Sequence, residues 1–127
     1  MKNETALPLR YNKKKTQKLE GLTMQELQSM EDFKNLKENG THIFLFSADW
    51  CPDCRFLDPF MPEIEKAYSD YTFVHVDRDK FLDLCADLDV YGIPSFVAFR
   101  DGKEIGRFVS KDRKTKEEVE KFIESLA

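Results

Sequence analysis

Asp49-Trp50-Cys51-Pro52-Asp53-Cys54, two residues after the apolar run Ile43-Phe44-Leu45-Phe46, sets two thiols three residues apart at the end of a strand. A strand that ends at a Cys and turns into a helix leaves that sulfur among the unpaired N–H groups of the helix N-terminus, where the thiolate is favoured. The second Cys lies one turn on, within reach of the first. The hexapeptide therefore reads as an attacking Cys51 and a resolving Cys54. Two other uses of the spacing compete. A structural zinc needs four ligands, and beyond the pair the chain offers only Cys85, His42 and His75, with no second pair at ligand spacing. A purely structural disulfide across so short a loop removes little entropy from the unfolded chain. The redox dithiol keeps most of the weight.

Working outward, 127 residues fit one domain that needs no metal or disulfide staple, and 41% hydrophobic with 35% charged residues is ordinary for a globular chain. The longest purely apolar runs, Ile43–Phe46 and Phe96–Phe99, are four residues each, so neither a membrane span nor a signal-peptide core is expected. Three cysteines are too few for a secreted disulfide scaffold of this size, which points to the cytoplasm and to a thiol that cycles. Charge divides the chain. Residues 1–23 carry six Lys/Arg against Glu4 and Glu20, net +4, leaving 14 basic and 22 acidic residues, net −8, for 24–127. The expected organisation is a flexible basic extension at 1–23 and one domain at 24–127. Lys13-Lys14-Lys15 lacks interleaved aromatics and an acidic domain follows it, so no nucleic-acid partner is expected.

From Gln25 the punctuation is regular. A short extended piece at 24–27 precedes a helix capped by Ser29 and stopped by Asn39-Gly40. Thr41–Ser47 is a strand covered on both faces, as in sheets flanked by helices. The helix opened by the hexapeptide runs through Leu57, Phe60, Met61, Ile64 and Ala67, and Pro59 and Pro62 should break it near Asp58. Tyr71–Asp77 is a second central strand, and Phe81, Leu84, Cys85 and Leu88 mark a short helix with Cys85 on its buried face. Asp101-Gly102 joins two antiparallel strands through a type I′ turn, and Thr115 to Glu118 is a capping box opening a last helix. The expected fold is α/β, ordered β-α-β-α-β-α-β-β-α, with the dithiol at a strand's carboxyl end where open α/β sheets do their chemistry.

These residues closely resemble the thioredoxin family over about 25–127: the strand into WCPDC, Pro59 five residues past Cys54, Gly92-Ile93-Pro94-Ser95-Phe96, and the closing hairpin and helix. The resemblance implies the thioredoxin fold, a central mixed five-stranded sheet with helices on both faces. It implies a solvent-edge Cys51 attacking substrate disulfides, Cys54 resolving, Trp50 covering the dithiol, and Pro94, after Ile93, as the family's cis-proline. It further implies a monomeric thiol:disulfide oxidoreductase without cofactor. Its partners would be disulfide-containing proteins or small thiols, with a reductase or low-molecular-weight thiol to recycle it. The alternative is a thioredoxin-fold redox sensor or adaptor that binds a partner with little turnover.

Departures bear on mechanism. The family's buried Asp, six residues before the nucleophile, is here Leu45, and the Lys that pairs with it is Phe73. Asp58, four residues after Cys54 on the same helical face, is the candidate substitute acceptor for the resolving thiol's proton. Pro52-Asp53 replaces the common Gly-Pro; the Asp53 charge disfavours both thiolates while Arg55 acts oppositely. Ser110 stands where the family often has Gly, adding bulk beside the substrate groove.

Overall fold

The computed structural model describes residues 24–126; the basic extension expected at 1–23 lies outside the described residues. In chain order the elements are β1 (Gln25–Glu26), α1 (Met30–Glu38), β2 (Thr41–Ser47), α2 (Pro52–Leu57), a 3-10 turn (Asp58–Phe60) and α3 (Met61–Ala67). There follow β3 (Thr72–Asp77), α4 (Leu82–Asp87), β4 (Ser95–Arg100), β5 (Lys103–Phe108) and α5 (Lys116–Glu124). The expected α/β order is met. The strand expected from Tyr71 starts one residue later, at Thr72.

The five strands lie in the order β1-β3-β2-β4-β5. β1, β3 and β2 run parallel, whereas β4 and β5 pair antiparallel, which makes the sheet mixed. β2 is the spine, buried from Ile43 to Ser47 because helices cover both faces. Alternation along the strands divides the core into two layers. Phe44, Phe46, Val74, Val76, Val97 and Phe99 pack with Phe33 of α1 and Leu84 and Cys85 of α4. Ile43, Leu45, Phe73, Phe96 and Ala98 pack with Leu57, Met61, Ile64, Val119 and Ile123 from α2, α3 and α5. Leu45 and Phe73 are therefore core residues of the layer beneath the dithiol helix.

Local signals explain the boundaries. Ser29 accepts from the Asp32 N–H to start α1, and Thr115 and Glu118 close both halves of a capping box on α5. Asp101 (φ 48°) and Gly102 (φ 90°) both take positive φ, as a type I′ hairpin requires. Pro59 has no N–H to continue α2, and the chain tightens into the 3-10 turn at Asp58 before Met61 restarts the helix. No helix among the described residues is long and apolar enough to cross a membrane.

Candidate active site

β2 ends at Ser47, and the chain turns through Ala48, Asp49 and Trp50, with the Cys51 N–H donating to the Ala48 carbonyl at 3.2 Å. Cys51 is the N-cap of α2 and Pro52 its first helical residue, a place where a missing N–H costs nothing. The Cys51 side chain acts as the cap: its Sγ accepts the Cys54 backbone N–H at 3.2 Å. Both thiols are free, in the reduced form. They form a small buried cluster with Ala48, against which Ile93 packs.

The expected solvent-edge position of Cys51 is corrected: the residue is only 5% exposed, and Cys54 2%. The turn that makes Cys51 a cap also folds it under Ile93. The Cys51 thiol lies 3.9 Å from the Ile93 carbonyl, and the Ile93–Pro94 bond is cis. The loop carrying Pro94 is tied back by Ser95, whose hydroxyl donates to the Gly92 carbonyl at 2.6 Å. Trp50 is 56% exposed, its indole N–H donating to Asp79 Oδ2 at 2.8 Å, so it is anchored toward the turn after β3.

Burial, first of all, pushes the Cys54 thiol up to about 12. Its hydrogen bond with Cys51 adds to this, as do the charges of Cys51 and Asp58, against a backbone hydrogen bond at Ala48. Cys54 therefore stays protonated at neutral pH while Cys51 sits at the cap. Asp58 opens the 3-10 turn one helical turn beyond, and its charge acts on both Cys54 and His75. Desolvation pushes its carboxyl up, with Asp49 adding and His75 and Arg55 opposing. Cys85, by contrast, is buried in the opposite layer with its thiol pushed up by desolvation, the position its helical spacing indicated.

Three features had no sequence signal. His75 faces Leu45 across the β2–β3 pair and joins three strands: its Nε2 lies 2.6 Å from Ser47 Oγ, and its Nδ1 2.8 Å from Glu26 Oε2. Burial pushes the imidazole down, but the hydrogen bond and charge of Glu26, with Asp77 and Asp58, outweigh it and the net shift is upward. Arg113 Nε donates to Asp53 Oδ1 at 2.9 Å, sixty residues away in sequence. Lys114 is 1% exposed. A pairing between strands, or between a loop and a distant helix, leaves no periodicity to read.

A family model described as Thioredoxin matches residues 23–125. "Thioredoxin-2, mitochondrial" of Schizosaccharomyces pombe is 40% identical over 70 residues, 55% of this chain and 53% of that protein. "Thioredoxin H2-1" of rice (Oryza sativa subsp. japonica) is 37% identical over 81 residues, 64% of this chain and 56% of that one. The match thus spans little more than half the length of these relatives. The oxidized-form crystal structure of mitochondrial thioredoxin 3 from Saccharomyces cerevisiae superposes with a TM-score of 0.71 at 30% identity, covering 82% of this chain and 96% of that one.

Proposed function

The chain belongs to the thioredoxin family, and we propose that it is a thiol:disulfide oxidoreductase that reduces protein or small-thiol disulfides through Cys51 and Cys54. The observation that carries this is the Cys51 cap, its sulfur held 3.2 Å from the Cys54 N–H beside the Ile93 carbonyl. A thiolate formed there keeps that N–H as a charge-assisted donor.

The Cys51 thiolate attacks one sulfur of a substrate disulfide; a Cys51–substrate bond forms, the substrate S–S bond breaks, and the first substrate thiolate leaves. Cys54, protonated until then, loses its proton to Asp58 and attacks Cys51 Sγ. The Cys51–Cys54 disulfide forms and the second substrate thiolate leaves. Two electrons pass to the substrate, and both leaving thiolates take up protons. The upward-shifted Asp58 carboxyl is suited to the acceptor's work that Leu45 cannot do. Trp50, Pro52, Asp53, Ile93 and Pro94 shape the approach of substrate around the pair. A reductase or low-molecular-weight thiol returns the electrons, no bound cofactor takes part, and the protein works as a monomer.

We take the compartment to be the cytoplasm, where a disulfide of such a pair is transient. Relatives carry mitochondrial and chloroplastic names, and cell fractionation against organelle markers is the test. For the activity, the test is catalysed reduction of a disulfide-bonded peptide with dithiothreitol as the recycling reductant. Cys51→Ser abolishes it; full activity in that variant, or partner binding without turnover that survives replacement of both cysteines, contradicts the proposal.

A further inference from the structure

From Asp49 to Asp58 the dithiol segment carries three carboxylates and one guanidinium, a local net charge of −2 that opposes thiolate formation. The loop between β5 and α5, Ser110-Lys111-Asp112-Arg113-Lys114, carries the complementary +2. It is fastened on both sides of the dithiol. On the α2 side, Arg113 pairs with Asp53 at 2.9 Å and stacks its guanidinium 4.4 Å from the Phe56 ring centroid. On the Pro94 side, Ser110 packs directly on Gly92, where an added Cβ would lie 2.4 Å from the Ser110 carbonyl oxygen. The Ser95 hydroxyl reaches the same carbonyl at 3.5 Å.

Lys114 locks the loop's shape from within. Its buried Nζ donates to the Ser110 carbonyl at 3.3 Å, Ser110 Oγ at 3.0 Å and the Asp112 carbonyl at 2.9 Å, so all three ammonium hydrogens are matched. It also lies 5.1 Å from the Phe108 ring centroid. A buried ammonium satisfied only inside one loop fixes that loop's conformation, and with it the point from which Arg113 reaches Asp53. Burial pushes the ammonium down, while Asp112, then Cys54, Glu118 and Asp53, hold it up.

We propose that the β5–α5 loop is a poising clasp on the dithiol, in which Arg113 is a positioning residue that neutralises and holds the Asp53 carboxylate so that the Cys51 thiolate can form. This rests on the oxidoreductase reading given above. The Arg113–Asp53 pair is half exposed and contributes little to global stability. Its effect is local, on the one charge set between the two cysteines. Without Arg113, the freed Asp53 carboxylate repels a thiolate formed at Cys51, which favours the disulfide.

The test is the dithiol–disulfide equilibrium against glutathione, together with thiolate titration by ultraviolet absorbance, for the wild type, Arg113→Met, Asp53→Asn, the double variant and Arg113→Lys. Neither readout requires turnover. Arg113→Met should move the equilibrium three- to tenfold toward the disulfide, tenfold being about 30 mV for a two-electron couple, and lower the thiolate absorbance at pH 7. Asp53→Asn should move both the other way, and in its background Arg113→Met should lose most of its effect. Arg113→Lys, keeping the charge, should restore at least half the shift. The proposal is overturned if Arg113→Met leaves both readouts unchanged, if its shift is as large without Asp53, or if Arg113→Lys behaves as Arg113→Met. Failure of the oxidoreductase reading looks different: the wild type would not catalyse reduction of the disulfide-bonded peptide, wherever its dithiol–disulfide equilibrium lies.

Discussion

Cys54 donates its backbone N–H to Cys51 Sγ at 3.2 Å while its own thiol is buried and pushed up to about 12. One short bond thus divides the labour between two sulfurs of the same motif: the first is the cap, the second is held protonated behind it. Brief treatment of the reduced protein with iodoacetamide at pH 7 should modify Cys51 at least tenfold faster than Cys54 or Cys85, read by peptide mass spectrometry. Thiolate is the reactive form, and desolvation disfavours it at both other cysteines.

Asp58→Asn separates the acceptor's two effects. Loss of a base should slow resolution of a preformed Cys51 mixed disulfide by about 10²-fold at pH 7, the lower end for general-base catalysis. Loss of its negative charge removes one cause of the raised Cys54 thiol. The gap to wild type should therefore close by pH 9 to 10, where hydroxide takes the proton. Quench-flow across that range checks it, and an equal deficit at every pH argues against Asp58 as the base.

His75 links stability to pH through Glu26. Its imidazole is raised in the folded protein, so the protonated form contributes stability that is complete below the unfolded value of about 6.5 and disappears as pH rises through the folded value. Glu26 is half exposed, which limits the contribution to roughly 0.2–1 kcal/mol. Urea unfolding at pH 6 and pH 8.5 should show Glu26→Gln less stable than wild type at the lower pH and nearly equal at the higher.

Gly92→Ala brings a Cβ to 2.4 Å from the Ser110 carbonyl oxygen, a backbone atom that can move only with its loop. The expected cost is about 1–3 kcal/mol, as for other overpacked sites. Activity should fall further than stability alone explains, because the same segment carries Ile93 and Pro94 toward Cys51. Denaturant midpoints beside turnover rates separate the two.

Sequence revealed what is local. Ser29, the Thr115 to Glu118 box, Asp101-Gly102 and Pro59 each act through their own neighbours along the chain, and each marked its boundary within a residue or two. The dithiol was legible for the same reason, since its spacing and the strand before it lie within a dozen residues. What stayed hidden is non-local. Arg113 meets Asp53 across sixty residues, His75 bridges Glu26 and Ser47 from a third strand, and Lys114 reads in sequence as one more surface lysine before a helix cap. The burial of Cys51 under Ile93 depends on how two loops meet, and no motif within either loop encodes it.

The most direct measurement of the two-cysteine mechanism is intact-mass and peptide mapping of Cys54→Ser mixed with a disulfide-bonded peptide. The expected result is a stable one-to-one mixed disulfide on Cys51, with none on Cys85 and none at all in Cys51→Ser. An adduct carried by Cys85, or an adduct that forms equally well when Cys51 is replaced, would contradict the mechanism.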